Sequence, residues 1–400
     1  MKPFYPLLLG GDINVYSMAR AFHEEYGLKS TVFGKYPSGP CFDSKIIDLH
    51  TFGDDNDNPE VCVENIRAFA ADHADDTVLL IGCGDSYVQL IAENLDKLPE
   101  NVVAPYINGE LMNTLIHKER FYAMCDEYGI DHPDTFIYRR EMGEDFELPF
   151  AFPCIAKPAN SVMYWQFPFL SQKKVYVVNT LGELHAVLKQ IYDAGYTDSM
   201  ILQDMIPGDD SYMRVLTSYS DRNHKVTMMC LGHVLLEEHT PHGIGNHAVI
   251  LNEREEQLTA KIRTFLEQIQ YTGFSNFDIK FDERDGKYKV FEINCRQGRS
   301  NFYVTGMGYN LAKMVVEDRL EGKDATLTMA DREHLWTVVP KQVLFDYTPE
   351  QYHATLRRLL KEKKWVNPLI YKADRAPKRA LRLFKSRMGH IVKFRKYLGK

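Results

Sequence analysis

The sequence predicts an α/β protein. An N-terminal parallel α/β domain leads into an α+β domain organised around one antiparallel hairpin, and a basic helical tail closes the chain. Three observations carry this expectation. Over residues 6–95, short apolar runs that end in glycine turns alternate with amphipathic runs of helical period. Over residues 277–296, two runs alternate apolar and polar residues with period two. Finally, residues 351–400 hold 16 Lys and Arg against Glu362 and Asp374, a net +14, which leaves −21 on the remainder of a chain whose overall charge is −7.

A chain of 400 residues, 44% hydrophobic and 26% charged, is expected to form two or three domains and has the make-up of a soluble globular protein. The seven cysteines are Cys41, Cys62, Cys83, Cys125, Cys154, Cys230 and Cys295. They are odd in number and scattered, without a C-x-x-C pair. This argues for a reducing cytosol and against a disulfide framework or a zinc site. The apolar run at the N-terminus is too short for a signal peptide, and no stretch is long enough to span a bilayer.

Taken in order, residues 6–9 read as a buried strand ending at Gly10-Gly11-Asp12. Residues 15–26 form an amphipathic helix stopped by Gly27, and 30–33 a second strand. A helix over 62–73 precedes a strand over 77–81, which ends at Gly82-Cys83-Gly84-Asp85, and a helix over 87–95 follows. Strand ends of this kind can face a ligand. Neither turn completes G-x-G-x-x-G, so a dinucleotide site is disfavoured, and tight strand-to-helix turns explain each glycine pair by itself. Residues 111–128 are expected to be one helix carrying Lys118. A strand over 152–157 ends at Lys157-Pro158, and 160–174 is irregular, aromatic-rich and free of glycine. A strand over 175–178 is followed by a helix over 181–194 with Thr180 as its N-cap. The strand 200–204 leads into a turn at Ile206-Pro207-Gly208-Asp209-Asp210. Antiparallel strands over 212–218 and 226–236, a helix over 253–269, the hairpin, and a helix over 310–320 complete the body.

In the hairpin, Phe277, Ile279 and Phe281 are expected inward, with Asp278, Lys280 and Asp282 on the other face. A three-residue loop, Arg284-Asp285-Gly286 with Gly286 left-handed, places Asp278 opposite Glu292 and groups Asp278, Lys280, Glu292, Asn294 and Arg296 on one polar face. A two-residue loop at Asp285-Gly286 puts Asp278 and Glu292 on opposite faces. Two carboxylates and an amide oxygen together are hard ligands suited to Mg2+, and Lys280, Arg296 and Arg299 nearby suit an anion. The plainer alternative is a solvated sheet face with mixed charges.

The ordered set of Lys118, Lys157, the strand and turn over 203–210, then Asp278, Glu292 and Asn294 resembles the ATP-grasp superfamily of carboxylate–amine ligases. The likeness covers 116–325, and 1–115 is similar to the α/β domain that precedes it in those enzymes. It implies a pre-ATP-grasp domain at 1–115, an ATP-grasp domain at 116–325 and a basic extension at 326–400. The stretches LLLGGDINVYSMARAFHEEYG, IGCGDSYVQLI and KPANSVMYWQFPF together resemble most the D-aspartate ligase group, which joins D-aspartate to the lysine side-chain amine of the peptidoglycan stem peptide.

What the resemblance implies is specific. Lys118 and Lys157 would contact the phosphates of ATP, with Ser161 as a further donor. Gln203, Asp204, Met205 and Ile206 would form the hinge beside adenine, and Asp210 would take the ribose hydroxyls. Asp278, Glu292 and Asn294 would hold Mg2+. Arg296 would be the phosphate arginine, with Arg299, Arg214 and Lys280 as partners for an acidic substrate. The glycine-rich phosphate loop of many relatives is missing, so Tyr164 and Trp165 are expected to close the lid by packing. The partners implied are an amino acid and a peptidoglycan precursor. Two other readings stay open: an ATP-grasp ligase for different amino acids, and a regulatory nucleotide-binding protein anchored by its tail. The metal ligands and Arg296 in one set favour catalysis.

His233, His239, His242 and His247 lie in a run that reads as a loop. It lacks H-E-x-x-H, so a substrate-facing loop that supplies a base is favoured over zinc. Residues 375–397 read as a helix with Leu381, Phe384, Met388, Ile391 and Val392 in one stripe among cations. Such a helix either lies on an anionic membrane surface or packs on the chain's own acidic body. Nucleic acid ranks below both, because no recognisable module or aromatic platform accompanies the basic residues. A cytoplasmic protein is the expectation, peripheral at the inner membrane face in the first of the two cases for the helix.

Overall fold

The computed structural model describes residues 2–240 and 243–399. The chain divides into two compact units, Met1–Met112 with Asp210–Asn276 and Asn294–Lys400, and Asn113–Asp209 with Phe277–Ile293.

The first unit opens with β1 (Phe4–Leu9), α1 (Ile13–Tyr26), β2 (Ser30–Gly34), β3 (Ile47–Thr51), α2 (Pro59–Ala71), β4 (Thr77–Gly82), α3 (Asp85–Glu93) and β5 (Val102–Val103). The strands are all parallel, in the order β3-β2-β1-β4-β5. Leu7, Leu8 and Leu9, like Leu79, Leu80 and Ile81, are fully buried, as expected for strands covered by helices on both faces. Asp12 caps α1, its Oδ1 accepting from the N–H groups of Asn14 and Val15. Gly27 ends the helix in the left-handed conformation.

After α4 (Gly109–Ile116) the chain forms the second unit: α5 (Lys118–Tyr128), β6 (Thr135–Tyr138), β7 (Cys154–Pro158), α6 (Ser161–Tyr164), β8 (Tyr176–Val178), α7 (Leu181–Asp193) and β9 (Met200–Asp204). Its sheet is antiparallel, in the order β6-β9-β7-β8. Thr180 caps α7 through the N–H of Glu183. The single helix expected over 111–128 is two helices. His117 between them is extended (φ −85°, ψ 110°), and the N–H of Lys118 donates to Ala159 O instead of continuing α4. The irregular stretch 160–174 contains the one-turn helix α6, capped by the Asn160 side chain. Tyr164 is buried, its hydroxyl sharing a hydrogen bond with that of Tyr176, whereas Trp165 is exposed.

The remaining elements are β10 (Met213–Ser220), β11 (Val226–Glu237), β12 (His247–Glu253), α8 (Glu256–Gln268), β13 (Gly273–Asp282), β14 (Lys287–Asn294), α9 (Phe302–Gly306), α10 (Leu311–Arg319), β15 (Thr328–Met329), β16 (Leu335–Thr337), α11 (Lys341–Tyr347), α12 (His353–Lys361), β17 (Trp365–Val366) and α13 (Pro377–Leu398). The sheet order is β14-β13-β10-β11-β12-β16-β17, with β15 beside β11. β13 and β14 run from the first unit into the second, which holds their hairpin end. The histidine run is therefore strand rather than loop at both ends, with His233 on β11 and His247 on β12. His242 lies outside the described residues. β16 extends the sheet beside β12, and Trp336 and Phe394 join the same core as Phe22 and Tyr303.

The tail forms α13 and packs on its own unit. Buried Arg379 pairs with buried Asp374 at 3.2 Å, and Asp374 accepts from Tyr16, Ser44 and the Lys45 N–H. Phe394 is buried, while Leu381, Phe384, Met388 and Val392 stay exposed. Among the described residues no helix is long and apolar enough to cross a membrane, and all seven cysteines are free and buried.

Candidate active site

In the second unit, α5 and β7 bring the two expected lysines together. The bond from Lys118 N–H to Ala159 O (3.1 Å) ties the first residue of α5 to the chain just past β7, and Lys157 sits in that strand, opposite Ile201 of β9. Lys118 Nζ pairs with Glu292 Oε2 at 3.2 Å and lies 3.3 Å from Ser161 Oγ. Lys157 Nζ donates to the Tyr122 hydroxyl at 2.8 Å and lies near the faces of the Tyr122 and Phe291 rings. Tyr122, one turn along α5 from Lys118, donates in turn to Phe291 O at 2.6 Å. The helix thus fixes β14 so that Glu292 pairs with Lys118 and its charge reaches Lys157.

The electrostatics follow from that crowding. Burial, reinforced by Lys118, pushes the Lys157 ammonium down to about 7, with Glu292 opposing. Burial alone would raise the Glu292 carboxyl, but Lys118, Lys174 and Lys157 together outweigh it and hold the group well below the usual carboxylate range. Glu292 is therefore an ionised hard oxygen donor at neutral pH. Tyr122 and Lys174 were not among the residues the sequence singled out. The helical spacing of Tyr122 from Lys118 was the available signal; Lys174 lay in the stretch without periodicity.

The hairpin loop differs from both expectations. Four residues, 283–286, separate the strands, with Gly286 left-handed at φ 71° and its N–H donating to Asp282 O. Asp282 is fully buried between Arg284 and Lys289 and is not part of an open polar face. Arg284 also pairs with Asp204. Asp278 and Lys280 are half-buried. Lys280 Nζ donates to Ile206 O (3.0 Å) and Gly208 O (2.8 Å), latching the turn after β9. Buried Gln203 donates to Thr135 Oγ1 at 2.7 Å, and the Asp204 N–H is taken by Asp134 O; Met205 and Ile206 follow where the chain leaves the strand.

In the first unit, the glycine turns after β1 and β4 hold the loop that follows β14. Asn14 donates to Cys83 O and Gln297 O and accepts from Asn301. Arg296 meets Asp85 through Nε at 2.8 Å and Nη2 at 2.9 Å, and Asn294 Oδ1 accepts from Arg296 at 3.2 Å. Gly298 lets this loop lie close, since a Cβ there would stand 2.4 Å from Asn276 Oδ1. Asp85, named in the sequence only as the end of a glycine turn, and Asn14 were not singled out as site residues, although they sit at the strand ends that parallel α/β sheets use for ligands. Asp210 accepts from His239 Nε2 and the Glu237 N–H, both at 2.8 Å; the Asp210 bond raises the His239 pKa. Arg214 is occupied by Glu253 and the carbonyls of Ser211 and Met213. His233 bonds Ser211 O, and burial pushes His247 down to about 4. Among the described residues, no group of three or more His, Cys, Asp or Glu is placed to hold a metal ion.

A parallel α/β unit, and a second unit in which helix α5 and strands β7 and β14 carry two lysines and a carboxylate, match the ATP-grasp carboxylate–amine ligases. Among solved structures, the L-amino acid ligase from Bacillus licheniformis is similar at a TM-score of 0.55 and 15% identity, covering 80% of this chain and 75% of that one. N5-carboxyaminoimidazole ribonucleotide synthetase, solved as an ADP complex, has a TM-score of 0.61 at 11% identity and covers 90% and 87%. No protein-family profile matches the chain. A D-aspartate ligase from Enterococcus faecium (strain Aus0004) is 43% identical over 409 aligned residues, spanning 99% of this chain and 97% of the relative. The chain belongs to the D-aspartate ligase family.

Proposed function

We propose that this protein uses ATP and Mg2+ to activate the carboxylate of D-aspartate as an acyl phosphate and joins it to an amine, the stem-peptide lysine of a peptidoglycan precursor. The observation that carries the reading is the cluster of Lys118, Lys157 and ionised Glu292 in a chain of this family. A carboxylate is a poor electrophile toward an amine, and phosphorylation gives it a good leaving group. Donor carboxylate and γ-phosphate repel each other, so cations must neutralise them as they approach. Lys118 and Lys157, with the Ser161 hydroxyl, would hold the phosphates. The backbone of Gln203, Asp204, Met205 and Ile206 would receive adenine, and Asp210 the ribose. Asp278, Glu292 and Asn294 have the hard-oxygen chemistry Mg2+ takes, and the ion would supply charge neutralisation at the phosphates. Arg296, oriented by Asp85, would steady the transferring group, with Lys280 and Arg214 shaping the surroundings.

We assign the pre-ATP-grasp domain to 1–115, the ATP-grasp domain to 116–325 and the extension to 326–400. We also assign the protein to the cytosol, where free thiols persist, and place the outward stripe of α13, Leu381, Phe384, Met388 and Val392 beside exposed Lys385, Arg387 and Lys393, against anionic lipid. Flotation with anionic vesicles tests that contact, and absence of binding removes it. For the reaction, the enzyme is incubated with ATP, Mg2+, D-aspartate and a lysine-containing precursor. Mass spectrometry is expected to find an aspartyl residue on the lysine amine with matching ADP. ADP without amide, or no ADP with any donor, refutes the reading.

A further inference from the structure

Three of the four cations expected around the substrate are committed to protein partners: Arg214 to Glu253, Arg296 to Asp85, and Lys280 to two carbonyls. Arg299 differs. Its Nη1 is buried and has no hydrogen-bond partner among the described residues. Its charge is felt by Asp12 at the start of α1, His247 on β12 and His390 on α13. His390 Nδ1 is likewise buried without a hydrogen-bond partner. It stands 3.7 Å from Glu238 Oε1, inside ion-pair reach and too far for a hydrogen bond. Glu238 is itself buried, at 9% exposure. The first unit therefore holds a guanidinium with an unmatched buried donor, electrostatically coupled to the imidazole of a buried Glu238–His390 pair, drawn from the loop after β14, the end of β11 and the C-terminal helix.

Folded proteins seldom leave buried polar groups unmatched, because such groups have given up water for nothing. A pocket for phosphate would be all cationic, and Glu238 would repel such a ligand. A corner that offers both a cation and a carboxylate suits a zwitterion. We propose that Arg299 binds the carboxylate of the amino-acid donor that is not activated, that Glu238 binds its ammonium, and that His390 of α13 is a positioning residue that holds Glu238 in place. A donor with a single carboxylate has nothing left for Arg299 once that group is activated, so the corner selects amino dicarboxylates. The C-terminal helix would then complete the donor pocket as well as carry the apolar stripe. This inference rests on the ligase reading.

The test is initial-rate kinetics on the full chain at saturating Mg-ATP, with D-aspartate varied and D-alanine as a one-carboxylate comparison. Arg299→Met and Glu238→Gln are expected to raise the KM for D-aspartate about 10- to 100-fold, the range for losing a hydrogen bond to a charged group. The KM for ATP should stay within about twofold, which also shows that the variants fold. His390→Gln should raise the D-aspartate KM less, with kcat little changed. Arg299→Met should cut the preference for D-aspartate over D-alanine at least about tenfold. An unchanged D-aspartate KM in Arg299→Met, with the wild type active, overturns the donor pocket and leaves the ligase reading standing. A wild type inactive with D-aspartate overturns both.

Discussion

If Lys157 holds ATP phosphates, nucleotide binding must be coupled to proton uptake. In the free protein its ammonium is depressed to about 7 by burial and by Lys118. At pH 8.5 most molecules then lack that proton. Phosphate oxygens at Nζ would restore the group toward its ordinary value near ~10.4, so Lys157 should contribute uptake of most of a proton at pH 8.5 and little at pH 6, taken as the difference between wild type and Lys157→Met. Calorimetry of ADP binding in buffers of different ionisation enthalpy reads this number directly, as the slope of observed against buffer enthalpy. The slope should rise steeply between pH 6 and 8.5 and lose that rise in Lys157→Met. A slope near zero at pH 8.5, or an unchanged one in the variant, would refute the reasoning. The same shift carries a sign for stability. Between about pH 7 and ~10.4 the unfolded chain binds the proton and the folded chain does not, so nucleotide-free stability should rise with pH across that window and rise less in Lys157→Met.

Other expectations follow from particular contacts. Glu292→Ala should lower phosphate release about 100- to 1,000-fold, the usual range for losing one charge-stabilising group, measured with the donor saturating. Asp282→Ala leaves Lys289 buried without its main partner and should cost about 3 kcal/mol in urea unfolding. Arg284 and Lys289 hold the Asp282 carboxyl well below the usual range, Arg284 most strongly. That stability is present above pH ~4 and is lost as pH falls through the folded value. Phe394→Ala should cost about 3 kcal/mol because the ring is buried in the core. Phe384→Ala, ten residues earlier on the same helix but exposed, should stay within about 0.5 kcal/mol while weakening vesicle flotation.

Strong local periodicity made much of the fold legible. The run of leucines in β1, the amphipathic face of α1 and the alternation in β13 each have one physical solution. The break at His117 was hidden because no Gly or Pro marks it, and the Lys118 N–H turns to Ala159 O across the fold. The loop at 283–286 was misjudged because Asp282 looks like a surface residue in sequence, and its burial depends on Arg284 and Lys289 arriving together. β12 was missed because histidines and glycines mask a short strand whose order comes from its neighbours β11 and β16. For the site, residue type and order were enough to pick out Lys118, Lys157 and Glu292, which the fold draws into one cluster. The resemblance gave Arg296 to the phosphates and Arg299 to an acidic substrate, but spacing alone does not separate two arginines three residues apart. The structure gives one to Asp85 and leaves a buried donor on the other. His390 had no sequence signal, since what distinguishes it is its approach to Glu238.

The most direct measurement is ADP formation by the purified protein with ATP, Mg2+ and a lysine-containing precursor, across a panel of D- and L-amino acids. The account predicts turnover with D-aspartate, dependence on the acceptor, and near-complete loss in Glu292→Ala. Turnover with a different donor would keep the ligase and discard D-aspartate. ADP formation with no donor dependence, or none at all despite nucleotide binding, would contradict the account.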